Sequence, residues 1–300
     1  MNMLDELSVQ NIFIQQIDDV CFKDLNIRLD ILRLDKIHPV VSGNKWFKLK
    51  YYLQQAIEDN YTSIATFGGA FSNHILATAY ACKKQNIPCT GFIRGEEPKH
   101  YSQTLSDAQA LNTQLRFLSR AAYSNRQNII HENASVFFIP EGGYGKPGAK
   151  GAAEILNLVT NLSNYNYIIC AAGTATMLAG IANASMQHQQ CIGISVMKNN
   201  FRLENEMLSL VNDKSKDRIK ILHDYHFGGY AKHTQQLIDF MNKTWLKHSL
   251  PLDFVYTAKA LYAVYNLLEN NYFTSGSNIM FIHSGGLQGN RSLNKEALLY

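Results

Sequence analysis

Charged side chains are scarce in this chain of 300 residues. Asp, Glu, Lys and Arg make up 17% of it, against 46% apolar residues. So low a charge and so large an apolar share exclude an extended, disordered polypeptide and leave enough material for a sizeable core. The net charge of +4 comes from basic residues that are scattered along the chain, which argues against nucleic acid as a partner. Long apolar runs are missing too. Stretches such as Tyr167 to Ala172 fall far short of the roughly 20 residues that cross a bilayer, so no membrane contact is expected. Met1 to Gln10 holds Asp5 and Glu6 and no basic residue. It lacks the basic-then-apolar order of a secretory signal, and a cytoplasmic location is the expectation. The five cysteines (Cys21, Cys82, Cys89, Cys170 and Cys191) are odd in number and form no CxxC pair, so neither a disulfide frame nor a zinc site is indicated. The ten histidines contain no HExxH, although His223 and His226 stand close together; no metal is expected.

What is present is an alternation of short β-branched runs with longer amphipathic stretches. Strands are predicted over Ser63–Phe67, Cys89–Ile93, Leu115–Leu118, Ser135–Ile139, Tyr167–Ala172, Cys191–Val196 and Ile279–His283. Helices are predicted over Ser72–Lys84, Ala149–Asn161, Thr176–Met186, His233–Lys247 and Ala258–Glu269. This order implies an α/β protein with mostly parallel sheets. The glycine-dense stretch Glu141–Gly151 reads as a connection between two lobes or as a site loop. No GxGxxG or GxxxxGK[ST] element is read after a strand, which counts against a nucleotide- or sugar-phosphate-binding module.

Ligands in such folds gather beyond the carboxyl ends of the strands. Three glycine clusters fall there: Gly68-Gly69, Gly173-Thr174-Ala175-Thr176 and Gly285-Gly286. Free amides at a following helix start suit an anion, phosphate above all, although glycine is common in such turns for purely structural reasons. Two segments carry chemistry besides. In Ser42-Gly43-Asn44-Lys45-Trp46-Phe47-Lys48-Leu49, Lys45 precedes an apolar helix, and a buried amine there loses its proton and becomes a nucleophile toward an aldehyde. Lys48 and Lys50 read as exposed helix residues. In Thr66-Phe67-Gly68-Gly69-Ala70-Phe71-Ser72-Asn73-His74, Ser72 and Asn73 are suited to cap a helix and, with the same amides, to hold a carboxylate.

SGNKWFKLKY followed by TFGGAFSNH resembles the 1-aminocyclopropane-1-carboxylate deaminase and D-cysteine desulfhydrase family of tryptophan-synthase-β-like, fold type II, pyridoxal-phosphate enzymes. The similarity continues through GTATMLAG (173–180), GGYAKHT (228–234), FVYTAKA (254–260) and IHSGG (282–286), in order and over nearly the whole chain. The resemblance implies pyridoxal 5′-phosphate as cofactor, bound covalently by Lys45. It implies that Asn73 bonds the cofactor's phenolic oxygen, and that Gly173, Thr174, Ala175 and Thr176 cradle its phosphate. Ser72, Asn73 and His74 face a small amino-acid substrate, and Tyr230 and Tyr256 act on it. It also implies a small lobe over 48–147 and a large lobe over 1–47 and 148–300, with the cofactor between them, and commonly a homodimer. Ala175 departs from the family pattern, where a second glycine is usual, and Met177 stands where many relatives have threonine.

Within the family, deaminases resemble VYEGK and desulfhydrases VYTGK; this chain has Val255-Tyr256-Thr257-Ala258-Lys259. Ser284 follows His283 where deaminases tend to have leucine and desulfhydrases threonine. Thr257 and Ser284 are expected near the cofactor's ring nitrogen. A hydroxyl there gives a shallower electron sink than a carboxylate. Such a sink suits loss of thiolate from the β-carbon better than opening of a cyclopropane ring. D-Cysteine desulfhydrase-like β-elimination to pyruvate, ammonia and sulfide is therefore favoured. Ring opening to 2-oxobutanoate and ammonia, or cofactor binding with little turnover, are the alternatives. A need for a monovalent cation is not legible.

Overall fold

In the computed structural model, residues 9–300 are described. The first eight residues of the Met1–Gln10 segment read above lie outside them. Among the described residues the chain builds two sheets. The larger has six strands in the order β1-β2-β10-β7-β8-β9. These are β1 (Ile14–Ile17), β2 (Arg28–Arg33), β7 (Tyr167–Ala172), β8 (Gln190–Ser195), β9 (Ile219–Leu222) and β10 (Asn278–His283). Only the β1–β2 pair is antiparallel. The smaller sheet is wholly parallel, in the order β5-β4-β3-β6. Its strands are β3 (Ile64–Gly68), β4 (Cys89–Arg94), β5 (Thr113–Leu118) and β6 (Phe137–Ile139).

Helices cover both sheets, as parallel strands require. Around the small sheet run α2 (Lys45–Glu58), α3 (Asn73–Lys84), α4 (Gln103–Ala110), α5 (Arg120–Ser124) and α6 (Arg126–Glu132). Around the large one run α1 (Val20–Lys23), α7 (Lys146–Ala153), α8 (Thr176–Ala184), α9 (Arg202–Leu208), α10 (Gln235–His248) and α11 (Thr257–Glu269). The central strands β3, β7 and β10 are buried almost throughout. That accounts for their unbroken apolar spelling. One apolar cluster runs from Leu32 and Ile282 of the large sheet through Leu49 and Leu53 of α2 to Ile64 and Ile139 of the small sheet. Helix α2 is thus the shared wall between the sheets, and Lys45 stands at its first turn.

Three expectations need correcting. The stretch 141–151 is not a plain link: it forms a one-turn 3₁₀ helix at Glu141–Gly143 and then α7, so the helix predicted from Ala149 begins three residues earlier. Its Gly143-Tyr144-Gly145-Lys146-Pro147-Gly148 does have GxGxxG spacing, shortly after β6. That spacing is a further departure from expectation, but the later glycines of the segment serve helix packing. A Cβ on Gly148 would stand 2.0 Å from the Gly143 carbonyl, and one on Gly151 1.8 Å from the Phe47 carbonyl. No side chain fits there, so α7 lies directly on α2. Lys48, read as exposed, is 2% exposed.

Candidate active site

The carboxyl ends of β3, β7 and β10 carry the three glycine clusters and face one cleft. Two clusters feed α-helices, α3 and α8. The third, after β10, enters a 3₁₀ helix at Leu287–Ser292. Lys45 reaches the cleft because the chain before α2 is tied to the end of β10: the Asn44 amide donates to the Ser284 carbonyl at 3.1 Å. The Lys45 ammonium finds only the Asn44 side-chain oxygen, at 3.3 Å. Burial pulls its pKa down to about 8, and Asp253 opposes that shift. A lysine so placed has a sizeable neutral fraction near neutral pH, which is what a nucleophilic amine needs.

Asn73 opens α3 directly opposite. Its amide nitrogen is 3.4 Å from the Gly286 carbonyl, while its side-chain oxygen is buried without a partner. An orphaned buried acceptor is costly unless a ligand completes it. Ser72 is the N-cap of α3, and its hydroxyl accepts from the Ile75 amide at 3.4 Å. His74 is not open to the cleft, contrary to its expected place against the substrate. It is 1% exposed, and Nε2 lies 2.8 Å from the Thr66 hydroxyl. That hydroxyl spends its one proton on the Ile139 carbonyl at 2.8 Å, so the histidine donates through Nε2. Burial, reinforced by Lys45 and Lys48, holds its pKa well below the usual range, and the ring is neutral.

The turn after β7 is suited to an anion. Gly173 lies against Tyr256: a Cβ there would be 2.8 Å from the tyrosine ring. Thr174 and Thr176 present hydroxyls 3.4 Å apart at the start of α8, where unpaired backbone amides gather. Ala175 has φ −63°, ψ −14°, an ordinary helical conformation, so the missing glycine costs nothing. Met177 is buried and takes the Asn44 side-chain amide on its sulfur at 3.0 Å. Sequence reasoning missed Lys48 here. Its ammonium donates to the Thr174 hydroxyl at 3.0 Å and the Gly142 carbonyl at 3.1 Å, with no carboxylate in contact. Burial and the charge of Lys45 drive its pKa well down. A phosphate between Lys48 and the α8 amides would answer that unbalanced charge. The i, i+3 spacing from Lys45 was the available signal, since it puts both lysines on one helix face.

On the far wall, Tyr256 and Tyr230 meet edge to face, with centroids 6.2 Å apart. Tyr230 is 44% exposed at the mouth. Burial and mutual contact hold the Tyr256 phenol well above its ordinary range, so it stays protonated. Thr257 does not offer its hydroxyl to a ligand. The group is fully buried, donates to Asp253 Oδ2 at 2.9 Å and accepts from the Asp253 amide at 2.8 Å. Asp253 was also missed. Its carboxylate accepts from the amides of Val255, Tyr256 and Thr257 at 3.0, 2.8 and 2.9 Å, and so holds the turn that leads into α11. Asp253 stands five residues before the helix start predicted at Ala258, too far ahead to read as its cap. Burial raises its pKa against those donors, which favour the anion. Ser284 remains beside Lys45, through the Asn44 contact already described.

These features fit pyridoxal 5′-phosphate. A cleft amine with a lowered pKa, an Asn73 side-chain amide with one N–H still uncommitted and a cationic phosphate turn lie around one space. Among the described residues no group of three or more His, Cys, Asp or Glu side chains is arranged to hold a metal. No helix there is long and apolar enough to cross a membrane.

Comparison with known proteins agrees. A profile of the family described as "Pyridoxal-phosphate dependent enzyme" matches residues 22–285. A protein of Thermotoga maritima named "Putative 1-aminocyclopropane-1-carboxylate deaminase" is 28% identical over 281 residues, 86% of this chain and 88% of that protein. A mitochondrial Arabidopsis thaliana protein named "Bifunctional D-cysteine desulfhydrase/1-aminocyclopropane-1-carboxylate deaminase" is 26% identical over 281 residues, 83% of this chain and 70% of its own length. A solved structure described as an "ACC deaminase homologue" superposes with a TM-score of 0.80 at 25% identity, covering 93% of this chain and 90% of the other.

Proposed function

This chain belongs to the pyridoxal-phosphate dependent enzyme family, and on that premise we propose that it eliminates the β-substituent of a small amino acid, with D-cysteine giving pyruvate, ammonia and sulfide. It is a pyridoxal-phosphate enzyme of fold type II. The observation that carries the site assignment is Lys45: a cleft amine pulled down to about 8 by burial, set among Asn73, Asp253 and Tyr256.

When bound, the cofactor supplies an aldehyde and an electron-withdrawing ring. Lys45 joins to it. The free N–H of the Asn73 amide would donate to the ring's phenolic oxygen. Lys48, Gly173, Thr174, Ala175 and Thr176 hold the phosphate. The hydroxyl of Ser72 and the free amides at the start of α3 take the substrate carboxylate, which fixes the α-carbon beneath Tyr256. Lys45, with its lowered pKa, would accept the α-proton as a neutral amine. The protonated phenol of Tyr256, paired with Tyr230, delivers a proton to the departing group. Asp253 keeps Tyr256 and Thr257 in place through its backbone bonds.

A second reading, opening of 1-aminocyclopropane-1-carboxylate, is favoured by one feature. Thr257 carries no charge itself, but the Asp253 carboxylate stands directly behind it and would deepen the electron sink. A panel of D-cysteine, L-cysteine, β-chloroalanine, D-serine and the cyclopropane amino acid separates the two. Sulfide and pyruvate from D-cysteine support elimination; 2-oxobutanoate from the cyclopropane substrate alone would replace it. The same proposal includes the lobe division at 48–147, a homodimer and a cytoplasmic place of action.

A further inference from the structure

Lys259, on α11, is fully buried, and the proposed chemistry does not use it. Its ammonium has three acceptors, all main-chain carbonyls. Gly229 lies at 2.7 Å, His226 at 2.9 Å, and Val196, just past β8, at 3.5 Å. No carboxylate touches it. Burial lowers its pKa to about 8, and Asp253 opposes the shift from a distance. Three carbonyl oxygens aimed at one point repel each other, and a buried ammonium without a counter-ion is costly. Together they satisfy each other, because three donors meet three acceptors. Two of these carbonyls come from the loop that carries Tyr230. That loop holds unusual backbone at Phe227 (φ +49°) and Ala231 (φ +52°), on either side of Gly228 and Gly229. L-residues adopt such angles only when the surroundings enforce them.

We propose that Lys259 is a tethered cation filling a three-carbonyl cage, and that it thereby positions the loop presenting Tyr230 to the cleft. Lys259 is a positioning residue and touches no reacting atom. The link to turnover rests on the role proposed for Tyr230; the cage does not.

The test uses Lys259→Met, which keeps the stem and removes the charge, and Lys259→Ala, which leaves room for a free cation. Amide hydrogen exchange across 226–232 is followed with kcat and KM. In Lys259→Met, exchange in this segment should quicken roughly tenfold, as for a loop released to local opening. With the loop loose, kcat should fall about a hundredfold, the scale on which an ångström of misplacement acts, while KM changes little. In Lys259→Ala, added ammonium or potassium should restore both readouts, whereas the wild type should be indifferent to either ion. Lys259→Met with wild-type exchange would overturn the cage, and so would Lys259→Ala that no cation restores. Loosened exchange with unchanged kcat would overturn the positioning of Tyr230. If Lys259→Ala folds in no salt, the Lys259→Met exchange decides. A wild type inactive on the whole substrate panel would sink the proposed reaction and leave the exchange result standing.

Discussion

Lys45 and Lys48 are three residues apart, yet their roles separate by environment. Lys45 faces the cleft with a pKa near 8. Apoprotein should therefore capture added cofactor faster as pH rises, with half the full rate near pH 8, because only the neutral amine attacks. Stopped-flow absorbance checks this; a half-rise near 10.5, the ordinary lysine value, would place Lys45 in open water. Lys48 touches Thr174 instead. Lys48→Met should weaken cofactor binding about 10- to 100-fold, equivalent to roughly 1.4–2.8 kcal/mol, and leave kcat at saturating cofactor nearly intact. Titration of apoprotein measures it. The sequence picked out Lys45 through its motif but left Lys48 as an exposed residue, because the burial of Lys48 against Thr174 is set by the fold and not by its neighbours in sequence.

Helix α11 depends on one carboxylate. Asp253 satisfies three backbone amides and the Thr257 hydroxyl. Asp253→Ala should cost about 2–4 kcal/mol, since several buried charge-assisted bonds vanish together and leave their donors unpaired, and urea denaturation reports it. The elements that the sequence made legible were those with strong local pattern. The buried strands Tyr167–Ala172 and Asn278–His283 and the capped helix after Ser72 fall within a residue or so of expectation. Strands β1, β2 and β9 were not legible. Arg28-Leu29-Asp30-Ile31-Leu32-Arg33 alternates poorly because Asp30 and Arg33 are buried and paired, Asp30 with the Tyr165 hydroxyl at 2.6 Å and Arg33 with Asp35 at 2.7 Å. Buried polar residues that are paired disguise a strand. Thr257 failed for a related reason: its neighbours in sequence place it at the cofactor, and its bond to Asp253 turns the hydroxyl away.

At the scale of the whole molecule, two sheets meet through α2, and the site is assembled from both. Asn73 comes from α3, on the small sheet. Gly173, Asp253 and Tyr256 belong to the large sheet's side, and Lys45 stands at the seam. A ligand touching every part should brace the fold as one. Cofactor at a hundred times its Kd should add about 2.7 kcal/mol to unfolding free energy, visible as a raised and concentration-dependent Tm. The order of motifs along the chain made the site legible, while the cleft itself exists only once the sheets are packed. The central claim is that Lys45 is the residue joined to the cofactor. Borohydride reduction of the cofactor-loaded protein, followed by peptide mass spectrometry, tests it most directly. The phosphopyridoxyl mass should sit on Lys45 alone and vanish in Lys45→Ala; a label on Lys48 or Lys259, or an undiminished label in that variant, would contradict it.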